Sequence, residues 1–505
     1  MGRLTWMLLA LLVSCAGSKY PRGARAFEDA QAPVKLVHQP AQGELASMEI
    51  LVRAGSAHDP IGSEGLAYLT AHLLREGGAG ERSGEAVQSA LYRMGTDIEV
   101  VVDKEMVAFR VTCVAEDAPE VAALLGDMLI RPQLDPSALQ RIRDNAKTHL
   151  QRGITQNDEA LGDALLDARL YAGHGYGHPV QGRFGVIGNL DEADVRRFLT
   201  ERYIRPAIVL GVAGAVSDEV IQGLRDRLSE TPASLYRDVT PRPAPVGRAR
   251  RVLIVEKETV ATGIHLGHHT QLRRDHEDWP AMMLAAFALG EHRQAHGRLY
   301  QALRETRGLN YGDYAYVERY RQDGFSHRQM TGTGRIDNPF YVWVRPVAPE
   351  NAPFALKGAL DIVESWVKAG LTEDEFARMK TYMQARVVLW AADPARRLGW
   401  ATEAALMGWP NPVETLPSAM GSLTREQVNQ AIQRHVDPST VDIVVVTADG
   451  EGFSSAIEGD APTPIVYEGA APSQESPQAK EDVRISEIDL DVEKVQIIST
   501  TDLFR

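Results

Sequence analysis

The sequence predicts an α+β fold made of two homologous halves, each an antiparallel-rich sheet packed by helices. Three observations carry this. Strand-like runs come in groups that read as antiparallel, helices follow them in pairs, and the order of both is repeated once along the 505 residues. A chain of that length exceeds one ordinary core. Two similar stretches of domain size indicate an internal duplication rather than a short-period solenoid.

Residues 1–15 read as a signal peptide of lipoprotein type. "MGRLTWMLLALLVSCAGS" has one basic residue, Arg3, then an apolar run from Trp6 to Val13 that is too short to span a bilayer but suits an export signal. "LVSC" resembles a bacterial lipobox, which would make Cys15 the lipidated first residue of the mature chain. An ordinary signal cleaved nearby is the alternative. The expected location is the bacterial cell envelope, anchored to a membrane and facing the periplasm; Ala16 offers no inner-membrane retention cue. Residues 16–30 are then a tether. If Cys15 carries lipid, Cys113, the only other cysteine, has no disulfide partner and reads as a small buried apolar residue in a strand.

The first half, 31–231, supplies strands in "SMEILVRAG", "TDIEVVVD" and "MVAFRVTCV", and helices in "APEVAALLGDMLIRP" and "PSALQRIRDNAKTHLQR". Residues 232–251 are rich in proline and arginine without helical period, which reads as a linker. The second half, 252–452, repeats the order: "RRVLIVEKETVATGIHLGH" gives strands, "DWPAMMLAAFALGE" a helix with Pro280 near its start, and "LTEDEFARMKTYMQARVVL" matches the earlier "LDPSALQRIRDNAKTHLQR". Likewise "DEADVRRFLTERYIRPAIVLGVAGAV" parallels "TREQVNQAIQRHVDPSTVDIVVVTADG", each a helix leading to a strand. The tail, 453–505, is rich in proline and acid and reads as extended, with "IVY", "ISEIDL" and "VQII" available to dock as strands on this chain or on a partner.

The net charge of −14 argues against nucleic acid as a partner, because phosphate binding needs clustered Lys and Arg. The most informative stretch is "GLAYLTAHLLREGG", residues 65–78, a short helix with Leu66, Leu69 and Leu73 on one side and Tyr68, Ala71, His72 and Arg75 on the other. Two histidines four apart with a glutamate beside the second would be a zinc-hydrolase signature. Here there is one histidine, and no carboxylate stands beside it. The later histidines fall in "GIHLGHHTQ", "RRDHEDW" and "GEHRQAHGRL"; His292 and His296 are four apart, a spacing that could serve a metal on a helix.

Three stretches in order resemble the insulinase/pitrilysin family of zinc peptidases: "GSEGLAYLTAHLLREGG", "DARLYAGHGYGHPVQGRFGVIGNLDEADVRRFLTERYIRPAIVLGVAGAV" and "GRLYQALRETRGLNYGDYAYVE". The resemblance implies two half-domains of the mitochondrial-processing-peptidase type. It places the family's first zinc histidine on Tyr68, its catalytic glutamate on Ala71 and its second histidine on His72, with the third ligand at or beside His149. Ala71 has no proton acceptor, and a phenol such as Tyr68 ionises near pH 10. Tyr68, His72 and His149 form a chemically possible metal set, but loss of the base alone removes a factor of about 10² to 10⁴ from hydrolysis. The expectation is therefore no metal and no catalytic residue on this chain, with zinc on a related partner subunit.

The second half keeps Arg304 and Tyr311 in "LRETRGLNY", seven apart as the family spaces them. The resemblance implies that this pair reaches a bound peptide across a chamber shared with the zinc-bearing subunit, donating hydrogen bonds to peptide carbonyls. The function expected is thus a noncatalytic, substrate-binding subunit of a heterodimeric zinc peptidase acting on peptides. The alternatives are an active metallopeptidase with unusual ligands, a structural family member, or a peptide-binding lipoprotein without an enzymatic partner.

Overall fold

The repeated sequence order becomes a repeated strand order. A computed structural model of the chain describes residues 31–234, 249–291, 294–322, 329–459, 461–500 and 503. Strands β1 (Lys35–Pro40), β2 (Leu45–Val52), β3 (Glu99–Val102), β4 (Val107–Val114) and β5 (Ile208–Gly214) form a first sheet in the order β3-β4-β2-β5-β1. Strands β6 (Arg250–Glu256), β7 (Thr262–Thr270), β8 (Asn310–Tyr316), β9 (Asn338–Val347) and β10 (Asp442–Thr447) form a second in the order β8-β9-β7-β10-β6, extended past β6 by β11 (Val492–Ser499). The central pairings are antiparallel, with β2 running against β4 from Leu45↔Val114 to Val52↔Val107. Parallel pairs occur at the far edge, β1 with β5 and β6 with β10.

Eight helices build the sites and the joint between the halves: α1 (Leu66–Glu76), α2 (Pro136–Thr148), α3 (Asp158–Leu170), α4 (Trp279–Gly290), α5 (Glu373–Trp390), α6 (Pro394–Met407), α7 (Arg425–His435) and α8 (Pro477–Ser486). The first core joins Ile50 and Phe109 of the sheet to Leu69 and Leu73 of α1; the second joins Ile264 and Val445 to Phe287 of α4. The other face of each sheet is covered by a helix from the opposite half. α3 lies on β7 and β10, and α6 lies on β5, β2 and β1. That is why seven consecutive residues of β2 are buried rather than every second one.

The exchange is fastened by packing and by charge. Leu161, Leu166 and Tyr171 pack with Tyr316, Tyr341 and Val444, while Leu51, Met106 and Val209 pack with Met330 and Leu406. Glu49, buried in the middle of β2, accepts from Arg110 Nε at 2.7 Å and from the Thr402 hydroxyl of α6. On the other side, Arg169 Nε of α3 donates to Asp442 at 2.9 Å, and Arg345 pairs with Glu159 at 2.6 Å. Both crossings land on glycine. A Cβ on Gly162 of α3 would lie 2.3 Å from His265, and one on Gly211 of β5 would lie 2.3 Å from Thr402.

Several expectations are corrected. The stretch read as one helix through "THLQR" leaves the α-helix at Thr148, and His149–Thr155 is a π-helical turn. The tail is only partly extended. Helix Gly450–Glu458 runs into it, and α8 forms where the Ser476 hydroxyl accepts the Ala479 amide at 3.1 Å with Pro477 in the first turn. "VQII" does dock on this chain, as β11 parallel to β6. Two histidines of "GIHLGHHTQ", His265 and His268, are buried in β7. His292, with most of the linker and the whole of 1–30 including Cys15, lies outside the described residues; His296 is exposed, and α4 already ends at Gly290. Cys113 is buried and free. Among the described residues no helix is long and apolar enough to cross a membrane.

Candidate functional site

Helix α1 is held at its start from outside its own sequence. The Asp59 carboxylate accepts the amides of Gly65 and Ala67, each at 2.7 Å. The helix then presents Tyr68 and His72 together, half-buried, with ring centroids 4.2 Å apart and planes tilted by 44°. Ala71 does not share that face as the helical period predicted. It is fully buried in the first core, because a methyl group carries nothing polar to keep in water and the helix settles onto it. His149 stands exposed at the head of the π-helical turn, and among the described residues no hydrogen bond or ring contact joins it to Tyr68 or His72.

The electrostatics oppose a metal here. Burial pushes the Tyr68 phenol above its ordinary 10, so the phenolate a metal needs is further out of reach. Burial also holds the His72 imidazole down at about 4, which leaves that ring neutral and a competent donor. The positive charge of Arg321, reaching over from the second half, acts on Tyr68, His72 and His149 alike. Arg321 is fixed there by donating to the Val102 carbonyl of β3 at 2.7 Å. That charge opposes a second cation beside these side chains. These residues do not fit a catalytic zinc ion, which needs three converging donors and a nearby base.

Two residues of this face escaped the sequence reading. Glu76 and Arg141 line, with His72 and Arg75, a cavity of about 930 Å³. Glu76 lies one turn beyond His72, a spacing that could have flagged it, but its carboxylate is engaged by Arg141 at 2.9 Å and serves as no free base. The Arg321 contact is between halves and leaves no local signal in the chain.

The second group lies at the edge of the other sheet. Residues Tyr300–Glu305 form a π-helical turn that leads into β8, the edge strand. It brings Arg304 and Tyr311, the pair that the family resemblance singled out, into contact. The Arg304 guanidinium lies between two rings, 4.8 Å from the centroid of Tyr300 and 4.5 Å from that of Tyr311. Tyr311 is 66% exposed and borders a cavity of about 460 Å³ lined also by Arg307, Asn351, Val466 and Tyr467. Behind the pair, burial lifts the Asp313 carboxyl to about 7, against the pull of Asn310 and of the Arg304 charge. The arrangement offers an exposed phenol and a stacked cation beside a strand edge, which suits recognition of an extended peptide. Elsewhere among the described residues, one group of three histidine or acidic side chains brings its donors close enough for a metal: His276, Asp278 and His435.

Comparison with known proteins matches two consecutive stretches of the chain. Residues 35–182 match the family described as insulinase (peptidase family M16), and residues 189–383 match the one described as peptidase M16 inactive domain. An uncharacterized zinc protease of Mycobacterium tuberculosis strain H37Rv is 25% identical over 395 residues, covering 77% of this chain and 85% of that protein. The mitochondrial-processing peptidase subunit beta of Dictyostelium discoideum is 21% identical over 202 residues, covering 40% of this chain and 43% of its own. Among solved structures, the peptidase M16 inactive domain from Pseudomonas fluorescens superposes with a TM-score of 0.72 at 22% identity, over 82% of this chain and 95% of that one.

Proposed function

The chain belongs to the insulinase family, peptidase family M16, and from that membership we propose that it is the noncatalytic, substrate-binding subunit of a two-chain zinc peptidase. The observation that carries the reading is Ala71: where hydrolysis needs a base, there is a buried methyl group. The partner supplies the zinc ion, which polarises the scissile carbonyl and activates a water, and the carboxylate that takes the water's proton. This chain supplies Arg304 and Tyr311. The exposed phenol of Tyr311 donates to a carbonyl of the bound peptide, and the Arg304 guanidinium places positive charge where the carbonyl oxygen becomes anionic. A relative whose name makes it one subunit of a processing peptidase supports such a pairing. The lipid on Cys15 holds the assembly at the periplasmic side of a bacterial membrane, and its substrates are peptides and unfolded segments.

The test is reconstitution. The purified chain alone hydrolyses no peptide, and activity appears on adding a relative that carries an intact H-x-x-E-H helix. Peptide hydrolysis by the chain alone, abolished by His72→Ala, would make it an active peptidase instead.

A further inference from the structure

We propose that His276, Asp278 and His435 form a site for one divalent transition-metal ion of the zinc class, clipping the start of α4 to the end of α7. The loop after β7 brings His276 and Asp278 to the head of α4, and His435 is the last residue of α7. One ring nitrogen of each histidine and one carboxylate oxygen of Asp278 all lie within 4.8 Å of one another. Two histidines and a carboxylate are a zinc donor set that leaves a position open. Donors about 2.1 Å from a tetrahedral ion stand about 3.4 Å apart. Here His435 Nε2 is 2.8 Å and His276 Nδ1 4.0 Å from Asp278 Oδ2, values that bracket that spacing. Small side-chain shifts gather the three.

The Asp278 side chain is poorly explained as a helix cap. It stands at the N-cap of α4 but makes no cap hydrogen bond, and Pro280 in the first turn has no N–H to satisfy. The carboxylate instead turns toward His435. The Asp278 amide donates to His276 Nδ1 at 3.0 Å, so that nitrogen carries no proton, but its lone pair is engaged and an ion must displace this bond to use it. The carbonyl end of α7 favours a cation, while the amide end of α4 opposes it. The built-in competitor is Arg434, whose guanidinium holds both Asp278 oxygens, at 2.7 and 3.0 Å, from a side chain that is 52% exposed. A metal must displace it into solvent, which weakens the site.

The experiment uses the full chain stripped with chelator, titrated with Zn²⁺ by calorimetry and with Co²⁺ by its visible absorption. One ion binds per chain. His276→Gln and His435→Gln each weaken binding by about tenfold or more, Arg434→Met tightens it several-fold, and His72→Ala leaves it unchanged. The absence of saturable binding would overturn the site, as would full affinity in the His276→Gln/His435→Gln double variant. Should a histidine variant fail to fold, unchanged affinity in Arg434→Met overturns it equally. Binding lost in His72→Ala alone would place the ion at α1, which removes this site and separately contradicts the proposed division of labour.

Discussion

The Arg304 guanidinium stacks on the Tyr311 ring and also donates to the Tyr311 carbonyl oxygen at 2.5 Å, so the cation is fixed to Tyr311 at two points. The backbone bond uses one nitrogen, Nη1, of a group with five N–H donors. In the reconstituted pair, Arg304→Ala should lower kcat/KM about ten- to a hundredfold, the worth of a charged hydrogen bond of about 1.5–3 kcal/mol. Peptide-hydrolysis kinetics measure this, and an unaltered rate would remove Arg304 from the substrate site.

Tyr311→Phe isolates the hydroxyl, since the ring that supports Arg304 remains. The loss should be smaller, about 1 kcal/mol or roughly fivefold in kcat/KM. Because the two side chains touch, the double variant Arg304→Ala/Tyr311→Phe should cost less than the sum of the singles. Strict additivity in a double-mutant cycle would mean that the two act independently.

Glu49 ties a first-half strand to a second-half helix. Glu49→Ala leaves the Arg110 guanidinium, which is also held by Thr331 at 2.6 Å, short of its buried counter-charge. Removing one partner of a buried pair costs about 3–5 kcal/mol. The urea midpoint should fall for both halves in one transition. Two separate transitions, with only the first half weakened, would show that the exchanged helices do not couple them.

Burial holds the His265 imidazole down at about 3, and both ring nitrogens lie buried without a hydrogen-bond partner. Below an ordinary pKa of about 6.5 the unfolded chain takes up a proton that the folded chain refuses. Stability therefore falls as pH drops from that value toward 3, at about 1.4 kcal/mol per pH unit for this one group. His178, held at about 3, and His72, at about 4, act in the same direction. His265→Leu should keep about 2 kcal/mol more of its neutral-pH stability at pH 5 than the parent does. Equal losses, measured by urea unfolding at pH 7 and pH 5, would contradict a neutral buried ring.

The antiparallel-rich sheets and the duplicated halves were legible because alternation and helical period are local properties of the chain. The Arg304–Tyr311 pair was legible only through the family resemblance of its segment, since spacing alone does not say that an arginine and a tyrosine seven apart will touch. The helix exchange was not. Amphipathy says that α3 and α6 each bury a face, but nothing local says against which sheet. The glycines that permit it, Gly162 and Gly211, look like any others in the sequence. Ala71 was placed on the wrong face because period alone treats a methyl as neutral between core and cavity. Arg321 and the His276–His435 contact join residues distant in the chain, where patterning carries no information. In α8 the signal was present, a serine followed by proline, but the acid-rich surroundings outweighed it.

The helix exchange has a consequence for how the molecule comes apart. A protease cutting the backbone between residues 234 and 249 would sever the covalent link yet liberate nothing, since each fragment keeps an arm laid across the other's sheet. The nicked protein should migrate as one species on a sizing column and as two bands once denatured. Synthesising either half by itself would leave a bare apolar sheet face exposed to solvent, so the two genetic halves form a single inheritable and foldable object.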